Sequence, residues 1–271
     1  MKIAFLTPYK HLPKFKKYVE KKYTCIEVKS KEEITKDVVY LFVAPNYLNF
    51  KITEDYIKDM NLRGIISPST GTNHIEVKSI PIIDIKGEGI LDKITSTAEH
   101  NLFLCLNIMR QIGTIDELST KTLGILGWGR LGKMVDLIGT NIFKDIKIND
   151  DTFVDDDFFD KTDFLSINIT LEDRNINLVD KNYINKFKKN IFIINTARGE
   201  VVDEEDIIDL INKGKVLGYA TDVIKEEHSS KATLLKLISD PRILITPHVG
   251  GTAISAQEKA YKKAIKKIKS L

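Results

Sequence analysis

Thr122-Leu123-Gly124-Ile125-Leu126-Gly127-Trp128-Gly129-Arg130-Leu131-Gly132 is the stretch on which the reading of this chain turns. Thr122–Leu126 has the composition of a buried strand, and apolar residues recur at helical spacing over Leu131–Ile142. Between them lies Gly-x-Gly-x-x-Gly. That pattern is weak by itself. Its required context is present: a strand before it, an amphipathic helix after it, and a second strand, Asp145–Asn149, ending beside an acid. In such a turn Gly127 makes the tight bend, Gly129 lets the backbone approach a pyrophosphate, and Gly132 lets helix and strand pack closely. The first helical residues, Arg130 and Leu131 among them, supply N–H donors and the positive end of the helix dipole. Asp150 lies 18 residues after Gly132, where a carboxylate accepts hydrogen bonds from the adenosine ribose and repels a 2′-phosphate. NAD is therefore expected rather than NADP. The competing reading is a packing turn with an unrelated surface acid.

Outward from this turn, β-branched runs alternate with helical patterns almost from end to end. Lys2–Leu6, Val38–Val43, Gly64–Ile66 and Ile82–Ile85 read as buried strands, with helical stretches at Leu12–Lys22 and Thr53–Met60. A second series of strands comprises Thr122–Leu126, Asp145–Asn149, Phe164–Ile169, Asn190–Asn195, Leu217–Thr221 and Ile243–Thr246. Helical patterns fall at Leu131–Ile142, Asp180–Lys188, Glu204–Lys213 and Ala232–Ser239. Such alternation predicts an α/β chain of two Rossmann-like domains, each a parallel sheet with helices on both faces. Thr95–Ile112, long and mostly apolar, reads as the joining helix. The expected division is residues 94–252 as one domain, and residues 1–93 plus a returning helix in 253–271 as the other. Ligands in such folds bind beyond the carboxyl ends of the strands, here in a cleft between domains.

Composition excludes several classes of function. Hydrophobic residues make up 42% of the chain and charged residues 29%, a globular balance that does not suit a disordered chain. The longest apolar run, Val38 to Ala44, has seven residues, against about twenty for a membrane helix. The 41 basic and 38 acidic side chains leave a net charge of only +3, which gives no case for nucleic acid as the main partner. The one basic stretch, Lys259 to Lys269, interleaves its lysines with Tyr261, Ala264, Ile265 and Ile268, and Leu271 follows in the same spacing. It reads as an amphipathic helix docked on the body with a solvated lysine face. Cys25 and Cys105 are too few for a disulfide framework or a cysteine-based zinc site. The apolar stretch at Met1–Pro8 is too short for a signal peptide, so the cytoplasm is the expected compartment.

Further strings point to one family. Asn195-Thr196-Ala197-Arg198-Gly199-Glu200-Val201-Val202-Asp203 follows a strand, Asp222-Val223-Ile224-Lys225-Glu226-Glu227 ends another, and Thr246-Pro247-His248-Val249-Gly250-Gly251-Thr252 ends a third. Ser69-Thr70-Gly71-Thr72-Asn73-His74-Ile75-Glu76 and Thr95-Ser96-Thr97-Ala98-Glu99-His100 precede the glycine turn. Together these resemble the D-isomer-specific 2-hydroxyacid dehydrogenases, from about Leu62 onward; the first sixty residues match only in strand–helix rhythm. The resemblance implies a flavodoxin-like substrate domain beside the NAD-binding domain. It also implies hydride transfer between a small D-2-hydroxy acid or its 2-keto acid and NAD.

Arg198 resembles the arginine whose planar fork binds the substrate carboxylate and polarises the carbonyl. His248 resembles the acid/base, and Glu227 the carboxylate that hydrogen-bonds its imidazole. The N–H groups of Thr70 and Gly71 are similar to those that hold the carboxylate opposite the arginine. Asp222 resembles the acid that binds the nicotinamide carboxamide. The resemblance further assigns Thr97, Ile169, Thr170, Asn175, Thr196, Ala197 and Gly250 to the cofactor. It implies no metal, and a homodimer formed through the cofactor domain, which the apolar Leu102–Ile112 stretch suits.

The chain departs from the family in two places. Ser166-Ile167-Asn168-Ile169-Thr170-Leu171 stands where Ser-Leu-His-x-Pro-Leu is usual, so a histidine and a rigid proline are lost. Asp163 stands only 13 positions after Asp150, which predicts a short loop on the adenine side. Its acidic run, Asp155-Asp156-Asp157, reads as a solvated turn or helix start and not as a metal site. No regulatory domain is expected after Leu271. The opposing functional class is an NAD(H)-binding sensor or corepressor-like protein with little turnover. Substrate specificity is expected from side chains around Asn46-Tyr47 and Ser67–Thr70.

Overall fold

β-Branched residues crowd the strand stretches and polar, turn-forming residues separate them, so the chain builds two sheets, each in its own unit. The computed structural model describes residues 1–45, 50–225 and 239–268. One unit comprises Met1–Ile94 with Gly251–Leu271, the other Thr95–Gly250.

In the first unit β1 (Lys2–Phe5), β2 (Thr24–Glu27), β3 (Val38–Phe42), β5 (Gly64–Ile66) and β7 (Ile82–Ile83) form a sheet in the order β2-β1-β3-β5-β7, every pair parallel. Counted within the sheet this is 2-1-3-4-5, the flavodoxin-like order. Two short strands, β4 (Ile52–Thr53) and β6 (Ile75–Glu76), pair apart from it. Aromatic rings fill one face of the sheet: Phe5 stacks on Phe42 at 4.7 Å, and Tyr261 meets Phe15 and Phe42 at 5.3 and 4.9 Å. Tyr261 belongs to the helix Ile254–Lys267, which buries Ala264 and Ile265 in the same cluster. Its other face carries exposed Lys262 and Lys266, while Lys263 and Lys267 pair with Glu88 at 2.7 and 3.3 Å. The basic C-terminal stretch is thus a docked amphipathic helix.

In the second unit β8 (Thr122–Leu126), β9 (Asp145–Asp150), β10 (Phe153–Val154), β11 (Phe164–Ile167), β12 (Ile191–Asn195), β13 (Val216–Thr221) and β14 (Ile243–Ile245) stand in the order β10-β9-β8-β11-β12-β13-β14. All neighbours are parallel except β10, which runs antiparallel to β9 with Phe153 opposite Asp150 and Val154 opposite Asn149. The sheet is parallel as expected, with β10 added as a short antiparallel edge. A parallel return would need a crossover of about a dozen residues and then a full strand. The 12 residues between Asp150 and Asp163 allow only a hairpin and the short helix Phe158–Lys161. The acidic run leads into that helix. Asp157 pairs with Lys147 and Lys161 at 3.0 and 2.5 Å, which pull its carboxyl down to about 2, and no cluster fit to hold a metal ion occurs among the described residues.

Helical expectations were generous at two places. Asp180–Lys188 contains only Lys181–Ile184, and Thr53–Met60 only Glu54–Ile57. The expected helix at Ala232–Ser239 lies almost wholly outside the described residues. β2 escaped prediction because it is a half-exposed edge strand with no apolar run.

Candidate active site

The carboxyl ends of the parallel strands in the second unit gather nearly all the expected residues. β8 leads into Gly127, whose φ of +87° is one that L side chains rarely adopt. A Cβ there would also stand 2.6 Å from the Ile169 side chain at the end of β11. Gly132 packs closer still: its Cβ would lie 2.0 Å from the Gly127 carbonyl oxygen, so the helix Arg130–Gly139 can start only directly on the turn. Gly129 differs, since a Cβ on it would meet nothing within 4 Å, and it caps the helix without a side-chain hydrogen bond. Open space over the first turn of this helix is what a pyrophosphate fits. Gly132→Ala is expected to cost about 1–3 kcal/mol of stability and to weaken NAD binding; an unchanged denaturation midpoint would count against this packing.

Asp150, at the end of β9, accepts the N–H of Trp128 at 2.7 Å on one oxygen and the Thr152 hydroxyl at 3.2 Å on the other. The Trp128 hydrogen bond, only partly opposed by burial, holds its carboxyl below the usual range, so it is ionised at neutral pH. The Trp128 ring lies edge-on to Phe153 of β10 at 5.4 Å. At the end of β11 the Asn175 amide donates to the Thr170 carbonyl at 2.8 Å and so positions that loop. Asn168, in the place of the family histidine, donates to the Ser166 hydroxyl at 2.9 Å. Ser166 donates to Asn101 at 3.0 Å, and Asn101 donates to the Thr196 hydroxyl at 3.0 Å. This buried chain ties the ends of β11 and β12 together.

Past β12, buried Asn195 uses both ends of its amide on the turn that follows, accepting from the Ala197 N–H at 3.0 Å and donating to the Arg198 carbonyl at 2.9 Å. Arg198 is half-buried there, with Nη1 2.6 Å from the Ala197 carbonyl. Gly199 lets this turn lie against the end of β13, for its Cβ would stand 2.0 Å from the Ile224 carbonyl carbon. Glu204, nearly buried, accepts the Lys225 N–H at 2.9 Å; burial pushes its carboxyl up to about 7.

Asp222 follows β13 and is 3% exposed. Its Oδ1 accepts the Thr246 hydroxyl at 2.6 Å and the Val249 N–H at 2.9 Å, and its Oδ2 accepts the Gly250 N–H at 2.7 Å. Burial alone would raise this carboxyl, but hydrogen bonds from His100, Thr246, Gly250 and Val249 outweigh it and hold the group below its usual range. His248 sits in the loop so pinned, half-buried, at a left-handed φ of +52°. Gly250 packs closely on the carboxylate: a Cβ there would lie 3.0 Å from Asp222 Oδ2, which would have to give by a few tenths of an ångström.

Arg198, Asp222 and His248 therefore follow three neighbouring strands, β12, β13 and β14, at one end of one sheet. Thr97, Thr196, Ala197 and Gly250 share that region; Gly127, Gly129, Arg130, Leu131, Gly132, Asp150, Ile169, Thr170 and Asn175 surround the glycine turn. Thr70 and Gly71 belong to the first unit, in the loop after β5, where the Ser69 hydroxyl donates to the Gly71 carbonyl at 2.8 Å. Glu227, Asn46 and Tyr47 lie outside the described residues. His100 was passed over as a site residue: its Nε2 lies 2.9 Å from Thr246 Oγ1 and 3.3 Å from Asp222 Oδ1. The available signal was its position three residues after Thr97, on the same helical face.

Residues 107–250 match the family described as D-isomer specific 2-hydroxyacid dehydrogenase, NAD binding domain. The chain is 28% identical over 236 residues to the aromatic 2-oxoacid reductase of Clostridium sporogenes, a match that spans 72% of this chain and 71% of that one. To the hydroxypyruvate reductase of Thermotoga maritima it is 28% identical over 250 residues, 80% of each. Among solved structures, the D-lactate dehydrogenase of Aquifex aeolicus complexed with NAD and lactic acid superimposes with a TM-score of 0.79 at 20% identity, covering 100% of this chain and 95% of that one.

Proposed function

This chain belongs to the D-isomer-specific 2-hydroxyacid dehydrogenase family, and from that premise we propose how its own residues carry the reaction. It is an NAD-dependent oxidoreductase that interconverts a small 2-hydroxy acid and its 2-keto acid. The unit Thr95–Gly250 takes the cofactor role and the other unit the substrate role. The observation that carries the reading is the alignment of Arg198, Asp222 and His248 on consecutive parallel strands, in the unit whose glycine turn opens at the same sheet end.

Arg198 pairs its fork with the substrate carboxylate and draws charge from the carbonyl. His248 gives a proton to the carbonyl oxygen when a keto acid is reduced and takes one from the hydroxyl in the reverse direction. Glu227, outside the described residues, takes the part the family resemblance gives it, the carboxylate partner of His248. In the first unit the N–H groups of Thr70 and Gly71 bind the carboxylate. The N–H groups at the start of helix Arg130–Gly139 hold the pyrophosphate, and Asp150 the adenosine ribose. The free lone pair of Asp222 Oδ2, the backbone of Thr196 and Ala197, and the Ile169–Thr170 loop serve the nicotinamide half, with Thr97 and Gly250 beside them. Bound NAD supplies the hydride acceptor and NADH the donor.

The test is NADH oxidation across a panel of 2-keto acids. Turnover of at least one is expected; binding of NADH with no turnover of any would favour a sensor instead. NADH should be preferred over NADPH by at least about tenfold, about 1.4 kcal/mol, because a 2′-phosphate would meet the ionised Asp150. Equal kcat/KM for the two cofactors would remove Asp150 from the ribose.

Two further assignments belong with this reading. The protein works in the cytoplasm: Cys25 and Cys105 are both free thiols, and no helix among the described residues is long and apolar enough to cross a membrane. It pairs as a homodimer through the cofactor unit. Within Leu102–Ile112, Leu102, Leu104, Cys105, Ile108 and Met109 are buried in that unit's own core, but Phe103 and Leu106 stand 51% and 44% exposed on the helix Ser96–Gln111 and offer an apolar face to a second copy.

A further inference from the structure

The loop that carries His248 is held in a conformation a histidine does not adopt cheaply. A left-handed φ on a residue with a Cβ persists only where its surroundings impose it. Here Asp222 does so, gripping the loop on both sides of His248 through the Thr246 hydroxyl and the Val249 and Gly250 N–H groups. The remaining donor is His100, on the helix Ser96–Gln111, and its protonation can be read from the geometry.

The Thr246 hydroxyl has one proton and two acceptors near it, Asp222 Oδ1 at 2.6 Å and the Thr221 carbonyl at 3.4 Å. Were His100 Nε2 bare, that proton would have to serve the ring at 2.9 Å, leaving two oxygens facing each other at 2.6 Å with no hydrogen between them. The proton therefore goes to the carboxylate, and Nε2 carries a hydrogen of its own. It donates to Thr246 Oγ1 and lies 3.3 Å from Asp222 Oδ1. The ring is kept in place by stacking on Phe103 at 5.6 Å.

We infer that His100 is a positioning residue: as the Nε2–H tautomer it completes the grip of Thr246 and Asp222 on the loop and so holds His248 in its working orientation. This rests on the proposed role of His248, and it makes the chain a two-histidine site in which only one histidine meets substrate. The inference separates the hydrogen bond from the ring that carries it. His100→Phe keeps a flat ring on Phe103 and loses the donor; His100→Gln keeps a donor and loses the ring.

The experiment combines steady-state kinetics of keto-acid reduction with imidazole ¹H–¹⁵N spectra of the full chain. In His100→Phe, kcat should fall about tenfold with the keto-acid KM within about twofold, since Arg198 is untouched. His100→Gln should recover most of the loss. The wild-type spectrum should show His100 as Nε2–H, and the His248 ring signals should move in His100→Phe. The inference is overturned by a His100→Phe enzyme as fast as wild type, by a Gln variant as slow as the Phe variant, by an Nδ1–H tautomer, or by unmoved His248 signals. A wild type that turns over no keto acid sinks the proposed function instead, and the spectra then decide this inference alone. Should His100→Phe fail to fold, Thr246→Val, which deletes only the hydroxyl, takes its place with the same expected losses and the same reversals.

Discussion

Arg198→Lys should leave the protein folded and able to bind NADH while lowering kcat/KM for keto-acid reduction by about a hundredfold, roughly 2.7 kcal/mol. The charge survives the substitution; the geometry does not. A guanidinium offers two parallel N–H donors to a carboxylate, whereas an ammonium is a point charge on a flexible stem. The turn around it is fixed: Asn195 clamps both Ala197 and Arg198, and Gly199 lets the turn lie against the Ile224–Lys225 backbone. A lysine would inherit the rigid backbone without the donor pair it presents. The assay is turnover of the best keto acid under subsaturating conditions, with NADH binding followed separately. If the lysine variant works within about threefold of wild type, the substrate carboxylate is held elsewhere.

His248→Asn should be more damaging, about a thousandfold or roughly 4 kcal/mol in kcat. Asparagine is chosen because it tolerates the left-handed φ of +52° at this position better than most residues, so the loop should survive the change. It has no titratable group, and reduction would proceed without a proton donor at any pH. The loss should therefore be flat across the pH range and should not respond to acid. Glu227→Gln, which removes the charge but keeps a hydrogen-bonding side chain, should lose less. A His248→Asn enzyme that regains activity at low pH would mean that another group delivers the proton.

The glycine turn could be read from the chain because two of its three glycines answer a local steric demand; Gly127 and Gly132 are required by contacts with the turn and with neighbouring strands that any such strand–turn–helix must make. Order along the sheet followed for the same reason, since strand–helix alternation admits few topologies. The parts that escaped depend on distant residues. β10 is two residues long, and its direction is set by how little chain remains before β11, not by its own composition. The helix expected over Asp180–Lys188 stops at Ile184, where the chain tightens into i→i+3 bonds, Lys186 N–H to Tyr183 and Phe187 N–H to Ile184, both at 3.2 Å, and still delivers Phe187 to the core cluster of Tyr183 and Ile184. His100 looked ordinary because nothing along the helix shows that it meets residues 122 and 146 positions later. Asn168 was visible as a departure, yet its partners Ser166 and Asn101 were not, for a hydrogen-bond chain between a strand and a helix has no period in sequence.

The helix Ile254–Lys267 completes the aromatic core around Phe5, Phe15 and Phe42, although the whole second unit separates it from them along the chain. This has a consequence for the order of events on the ribosome. Domains usually fold as they emerge, the amino-terminal one first. Here the amino-terminal strands are made early but lack Tyr261, Ala264 and Ile265 until synthesis has passed through Thr95–Gly250, which is continuous and contains every strand of its own sheet. The unit that begins second can thus finish first. Until the last helix arrives, the waiting segment displays rings that in the finished protein are covered, and that interval is when a nascent chain of this design most needs a chaperone.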